Sequence, residues 1–187
     1  ILGSVLAMLK NNRFQIIRSI VTAYIEIVRG TPILLQLYIF KFMLPAAFPS
    51  FKPSTFVCIL VALILNSAAY VSEVIRSGIE AVDKGQTEAA RSLGLSKRQT
   101  MFKIVLPQAV RYILPALGNE FIMMIKETSL ASVFFVGDLM TQFQTISGAT
   151  FLTMEPLIII GIIYFVLTFS LSKGVAVLER RMKAGER

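Results

Sequence analysis

The chain has 187 residues, of which 55% are hydrophobic and 16% charged, with a net charge of +8 and a mean hydropathy of +0.71. A soluble domain is about 45–50% apolar and about 25% charged, so this composition argues against one, and a disordered segment lacks so many apolar residues. The absence of His and the single Cys exclude disulfide scaffolds, His-based catalysis and His or Cys metal clusters. Cys58 lies in an apolar run, so we expect it to pack in the interior.

The first 30 residues predict the end of a membrane helix and then an amphipathic helix. The apolar residues 1–9 would span only about 14 Å as a helix, and the chain starts with Ile, so we expect a longer protein whose first span is truncated here. Segment 10–29 places apolar residues, Phe14 among them, at alternating steps of three and four, which suits a membrane surface or packing on neighbouring helices. Thr31 is predicted as the N-cap of the next helix.

Four apolar segments follow, at 33–44, 56–75, 110–125 and 157–178. The first is short for a span and is expected to stop at Pro45, whereas the second would rise about 30 Å and the fourth about 33 Å. The stretches 45–55 and 126–156 are predicted to be connections. The sequence therefore predicts an all-α, polytopic membrane protein with about five transmembrane helices, in a single domain covering residues 1–187.

The basic residues show which connections face the cytoplasm. Sixteen of the 19 Lys and Arg residues fall before the short helix, around the central polar segment or at the end of the chain. They are Lys10, Arg13, Arg18, Arg29; Arg76, Lys84, Arg91, Lys97, Arg98, Lys103, Arg111; and Lys173, Arg180, Arg181, Lys183, Arg187. The positive-inside rule places these three regions, the C-terminus included, in the cytoplasm. The orientation of the chain in the membrane thereby explains the positive net charge, and no nucleic-acid partner is expected.

The polar segment at about 76–107 predicts two short helices with a sharp joint. The first is expected to open at Gln86 or Thr87 and to continue through Glu88-Ala89-Ala90-Arg91, with Gly94 in the left-handed position just past its end.

The second helix has its own start and stop signals. Ser96 and Gln99 have the spacing of a capping box, and Pro107 either ends this helix or begins the next one. A rigid helix, glycine, helix element has the shape of a docking element, and a well-capped connection between spans is the alternative.

Polar residues also occur at membrane depth. Asn66, Tyr70, Glu73 and Ser77 follow at steps of four, three and four and so share one face of the 56–75 helix. Such residues normally face a cavity or a partner, which makes Asn66 and Tyr70 candidate substrate contacts. For Glu73 the alternative is an ion pair with Arg76 at i, i+3.

The next span carries a second polar group. Glu120 and Glu127 lie on one face of it, Asn119 lies beside them, and Thr128 and Ser129 follow directly. We expect all five to be substrate contacts; the alternatives are a buried structural pair for Glu120 and a position at the outer membrane interface for Lys126 and Glu127. Carboxylates outnumber bases here, which favours a cationic amino acid such as arginine, lysine or histidine.

Several motifs resemble one family. Glu88-Ala89-Ala90, with Gly94 six residues after the Glu and Pro107 beyond, resembles the EAA pattern of binding-protein-dependent ABC importer permeases. Arg29-Gly30-Thr31-Pro32, residues 69–76 and Lys126-Glu127-Thr128-Ser129-Leu130 are similar to the polar amino acid permeases of that group.

The resemblance implies a dimeric transmembrane subunit of the bacterial inner membrane that works with two cytoplasmic ATPase subunits and an extracytoplasmic amino acid-binding protein. The second permease subunit would be an identical or a homologous chain. The EAA segment would be the coupling helix that docks on the ATPase, formed by Glu88, Ala89, Ala90 and Gly94, to which the local pattern adds Arg91.

The expected function is therefore ATP-driven amino acid import. The chain has no G-x-x-x-x-G-K-[ST] motif, so we expect no enzyme activity and no cofactor of its own, with ATP bound by the partner. The alternatives are an ion- or proton-coupled secondary carrier that uses Glu120 and Glu127, and a membrane assembly subunit without a pathway.

Overall fold

A computed structural model describes residues 1–50 and 52–184, with side chains as far as residue 182. Every regular element in that part of the chain is helical. The α-helices are α1 (Leu2–Lys10), α2 (Gln15–Gly30), α3 (Ile33–Ala47), α4 (Thr55–Glu80), α5 (Lys84–Ser92), α6 (Lys97–Thr100), α7 (Leu106–Glu127), α8 (Leu139–Thr150) and α9 (Met154–Ala184). A short π-helix, Met101–Val105, joins α6 to α7, and a 3-10 helix, Thr128–Phe134, follows α7.

Helix α4 is the centre of the fold. It packs against α1, α3 and α7, and α7 packs in turn against α9. The α4–α7 contact is so close that a Cβ on Gly78 would overlap Cγ1 of Ile113. Cys58 is fully buried in α4, as predicted.

The helices divide into those that cross a membrane by length and composition and those that complete the bundle. In the described chain, α4 and α9 are long and apolar enough to cross. Helices α2 and α3 together pass the same test but are bent by 112° at their junction. With α1 and α7 packed alongside α4, this arrangement confirms the all-α, polytopic membrane fold.

Helix α2 packs as an amphipathic helix, and its start differs from the prediction. Val21 and Ile25 are buried against Ala69 of α4. Phe14, which was expected on the buried line, precedes the helix and is 54% exposed. The buried face therefore runs only over the regular part of α2.

The predictions for Thr31 and Pro45 were wrong. Pro32 holds the N-cap position of α3, without a side-chain cap, and the Thr31 hydroxyl donates to the carbonyl of Ile27 at 2.8 Å. The backbone of Pro32 is itself extended, with φ of −61° and ψ of +135°, so the helix begins one residue later than predicted, at Ile33. Pro45 lies inside α3, where one missing N–H does not prevent Phe48 from donating to Leu44 at 3.1 Å.

The stretch 126–156 is more than a connection. It contains the 3-10 helix and α8, whose N-cap Asp138 accepts a hydrogen bond from the backbone N–H of Thr141 at 2.7 Å. Helix α8 mixes polar and apolar residues without a clear apolar stripe, so the sequence pattern did not indicate a helix here. Of the basic residues predicted at the C-terminus, the Lys183 side chain and Arg187 lie outside the described part of the chain.

Candidate functional site

The joint segment, residues 83–105, follows directly on α4. Helix α5 begins at Lys84, earlier than the predicted Gln86 or Thr87, because Asp83 is its N-cap and accepts a hydrogen bond from Gly85 N–H at 2.7 Å. Aspartate is among the strongest N-cap residues, and the prediction overlooked it.

Gly94 forms the sharp joint as predicted. Its φ is +84°, in the left-handed region that L side chains rarely adopt. Gly94 N–H donates to the carbonyl of Arg91 and Leu95 N–H donates to that of Ala90, both at 3.1 Å. These two bonds are the Schellman pattern, which closes α5 and turns the chain in one fixed direction.

The second half of the joint segment is equally well defined. Ser96 Oγ accepts from Gln99 N–H at 3.2 Å, and Gln99 Oε1 accepts from Ser96 N–H at 2.8 Å, so the predicted capping box is present. Pro107 lies in the first turn of α7, so it begins the next helix. Val82 and Val105 are buried together with residues of α7, which anchors both ends of the segment on the bundle.

The outer surface of the joint segment is exposed and basic. It carries five basic and two acidic residues, and all seven are exposed. Of the predicted coupling residues, Glu88, Ala89, Arg91 and Gly94 are exposed, while Ala90 is buried and packs inward. Leu93 and Phe102 protrude from the same segment with 81% and 59% exposure. Such a rigid, basic surface with apolar protrusions suits docking to another protein.

The polar face of α4 is turned toward the junction between α2 and α3. Asn66 is 2% exposed, and its amide donates to Gln36 Oε1 at 2.9 Å. The amide nitrogen of Gln36 donates in turn to the carbonyl of Val28 at 2.7 Å and to the hydroxyl of Thr31 at 2.9 Å. The amide nitrogen of Asn66, a predicted substrate contact, is thus engaged within the protein, while its Oδ1 is buried without a hydrogen-bond partner among the described residues.

One and two turns further along α4, the same face meets basic side chains. The guanidinium of Arg29 lies over the ring of Tyr70, 5.6 Å from its centroid. Glu73 forms ion pairs with Lys10, with Arg29 at 3.3 Å and with Arg76 at 2.9 Å. The predicted Glu73–Arg76 pair is confirmed, and the other two cations, which are distant in sequence, were not foreseen.

The polar residues of α7 have a different environment. Glu120 and Glu127 are partly buried, and none of the ion pairs between described side chains includes either of them. Asn119 is exposed beside Glu120. Two carboxylates of this kind in a membrane bundle are suited to receive a cationic group.

The residues after Glu127 complete this region. The hydroxyl of Thr128 donates to the carbonyl of Ile125 at 2.7 Å, and that of Ser129 donates to the carbonyl of Lys126 at 2.6 Å. Both hydroxyls keep their acceptor capacity. Thr128 also lines an open, mainly apolar cavity of about 360 Å³ between α1, α4 and the end of α7.

Comparisons with known proteins agree with one another. Residues 1–184 match the family described as "Binding-protein-dependent transport system inner membrane component". The chain is 44% identical to the arginine transport system permease protein ArtQ of Bacillus subtilis, over all of this chain and 84% of that protein. It is 39% identical to the glutamine transport system permease protein GlnP of Escherichia coli K12, over 86% of this chain and 73% of that protein.

A solved structure has the same fold. The chain superposes on a chain of the "Crystal structure of an amino acid ABC transporter with histidines" with a TM-score of 0.92 and 44% identity. The match covers 96% of this chain and 83% of the other.

Proposed function

Because the chain belongs to the family of binding-protein-dependent transport system inner membrane components, we propose that it forms the membrane pathway of an amino acid ABC importer. It is a multi-pass permease subunit, a transporter component and not an enzyme, and its place is the bacterial inner membrane. The observation that carries this function is the family match over nearly the whole chain, which an ion-coupled secondary carrier would not give.

The proposed energy source is ATP hydrolysis by a separate cytoplasmic subunit. The joint segment would be its docking site, with Glu88, Ala89, Arg91 and Gly94 at the exposed surface and Ala90 holding the helix on the bundle. The Schellman turn supports this role, because a segment that transmits a push must not bend. No cofactor is proposed for this chain, and ATP would bind the partner.

Further partners follow from the family. We propose an extracytoplasmic amino acid-binding protein, which delivers the substrate, and a second permease subunit, identical or homologous. The distribution of basic residues supports a cytoplasmic C-terminus. Residues 1–187 would form one transmembrane domain, with the joint segment as its coupling element.

The proposed substrate is a polar amino acid, and the charges favour a cationic one. Glu120 and Glu127 would attract the cationic groups, and Asn119, Thr128 and Ser129 would supply hydrogen bonds. For Asn66 and Tyr70 the substrate contact stays a prediction. The amide nitrogen of Asn66 and the ring of Tyr70 contact residues at the junction between α2 and α3, whereas Asn66 Oδ1 has no hydrogen-bond partner among the described residues.

Purification of the permease with its native partners, followed by reconstitution in vesicles, tests this function. We expect a co-purifying ATP-binding subunit, and uptake of arginine or glutamine that requires ATP and a binding protein. Uptake driven by an ion gradient alone, without that subunit, would refute the proposal.

The substrate contacts have a separate test. Glu120→Gln keeps the size of the side chain and removes its charge, so we expect it to lower arginine uptake about tenfold, and more than Asn119→Ala does. Glutamine uptake is the control, because its side chain carries no charge. Equal, mild effects of both variants on arginine would show that Glu120 is structural.

A further inference from the structure

We propose that the polar face of α4 clamps the junction between α2 and α3, and that Glu73 is the residue that positions this junction during transport. The junction, residues 28–36, is called the elbow below. The clamp consists of Asn66, Tyr70 and Glu73 on α4. Its role in transport rests on the function proposed above, whereas its geometry is measurable independently.

The elbow needs support because it is a sharp break in the chain. Helices α2 and α3 meet at 112°, and Thr31 and Pro32 between them have extended backbones. Gln36, only 8% exposed, braces the inside of the bend by hydrogen bonds to Val28 and Thr31. These bonds fix the shape of the elbow but not its position against the rest of the bundle.

Three contacts at successive turns of α4 supply that position. Asn66 donates to Gln36, Tyr70 lies beneath the guanidinium of Arg29, and Glu73 pairs with the same guanidinium. The periodic polar face of α4 thus makes contacts within the protein. The hydrogen bond to Gln36 offsets part of the cost of burying the polar side chain of Asn66.

The charges at Glu73 make this residue the most sensitive part of the clamp. Its side chain is 12% exposed and meets Lys10 at the end of α1, Arg29 at the end of α2 and Arg76 on α4 itself. Without the carboxylate these three cations would repel one another. Of the three, only Arg76 also pairs with the nearby Glu80 among the described side chains. Removal of one cation, in contrast, leaves the other two attracted to Glu73.

The position of the clamp connects it to the joint segment. Helix α4 ends at Glu80, and α5 begins at Lys84. A displacement of α5 by a docked partner would therefore act directly on α4. Because the clamp connects α4 to α1 and to the elbow, a movement of α4 would move these two elements together with it.

The test compares Glu73→Gln with Glu80→Gln in the complete transporter in vesicles. Both variants remove one carboxylate from α4, but among the described side chains the exposed Glu80 forms an ion pair with Arg76 and with no other cation. We expect Glu73→Gln to lower the maximal rate of uptake about tenfold, with KM for the amino acid within about twofold. Glu80→Gln is expected to stay near the wild-type rate, and Glu73→Asp to recover part of the loss.

A distance measurement separates positioning from a general loss of stability. Spin labels at the exposed positions Glu26→Cys and Ser77→Cys, in a Cys58→Ala background, report the position of α2 relative to α4. We expect one narrow distance distribution in the protein with the native Glu73 and in the Glu80→Gln variant. In the Glu73→Gln variant we expect a clearly broader distribution. Arg29→Gln, at a side chain that is 43% exposed, is expected to give an intermediate width and rate.

The outcomes are distinct. A narrow distribution and a wild-type rate in Glu73→Gln would overturn the clamp, and so would equal defects in the Glu73 and Glu80 variants. If Glu73→Gln does not assemble, Arg29→Gln decides by the same two measurements. Absence of ATP-dependent uptake in the wild type would instead refute the proposed function, while the distances would still test the clamp.

Discussion

The sharpest test of the joint segment is the substitution Gly94→Val. An added Cβ would meet no atom within 4 Å, so the cost of the substitution is expected to come mainly from the backbone. The φ of +84° costs a non-glycine residue about 2 kcal/mol, and a β-branched one at least that much. Since about 1.4 kcal/mol is a factor of ten, the fixed joint would lose about 30-fold in population relative to opened forms.

The assay is ATP hydrolysis by the assembled transporter, with and without the loaded binding protein, measured together with uptake. We expect Gly94→Val to lower uptake about tenfold or more, while the permease keeps its place in the membrane and its thermal stability. Gly94→Asn is the matched control, because asparagine tolerates the left-handed region far better than valine. Full uptake in the valine variant, or equal losses in both, would refute the rigid-joint reasoning.

Three further predictions concern the fold. Gly78→Ala should lower the free energy of unfolding by about 1–3 kcal/mol, and with it the thermal unfolding midpoint in detergent, because the added Cβ would overlap Ile113. Gly161→Ala is the control, because its Cβ would meet no atom within 4 Å, and it should not lower the midpoint. Ser96→Ala should remove about 1 kcal/mol of capping and speed hydrogen exchange in α6 about fivefold; unchanged exchange would contradict the capping box. Cys58 should react with a maleimide only after unfolding, and labelling of the folded protein would contradict its burial.

The features that the sequence predicted correctly in the joint segment depend on neighbouring residues. The turn at Gly94 and the capping box at Ser96 are set by hydrogen bonds over three to five residues, which the spacing alone specifies. The start of α5 was wrong for the same local reason, since Asp83 was an available cap that the prediction passed over.

Contacts between distant residues could not be predicted in this way. The pair of Glu73 with Arg76 follows from helical spacing, but Lys10 is 63 residues away and reaches Glu73 only through the packing of α1 on α4. The polar face of α4 was identified correctly, yet its periodicity is the same whether it meets a solute or another part of the protein. The hydrogen bond from Asn66 to the buried Gln36, 30 residues away in the sequence, is visible only in the fold.

The carboxylates at membrane depth can be sorted by their partners. An anion in a membrane bundle is costly unless a cation or hydrogen-bond donors compensate it. Glu73 pairs with three cations, which offset the cost of burying its charge. Its carboxylate oxygens are therefore occupied and have little capacity to bind a substrate. No ion pair between described side chains includes Glu120 or Glu127, and Lys126, the residue next to Glu127, is the basic side chain closest to them in the sequence. The two carboxylates are therefore open to a further cation. In the proposed function a cationic amino acid would supply that charge during transport, which is why the two glutamates of α7, and not the one on α4, are the proposed contacts for the substrate.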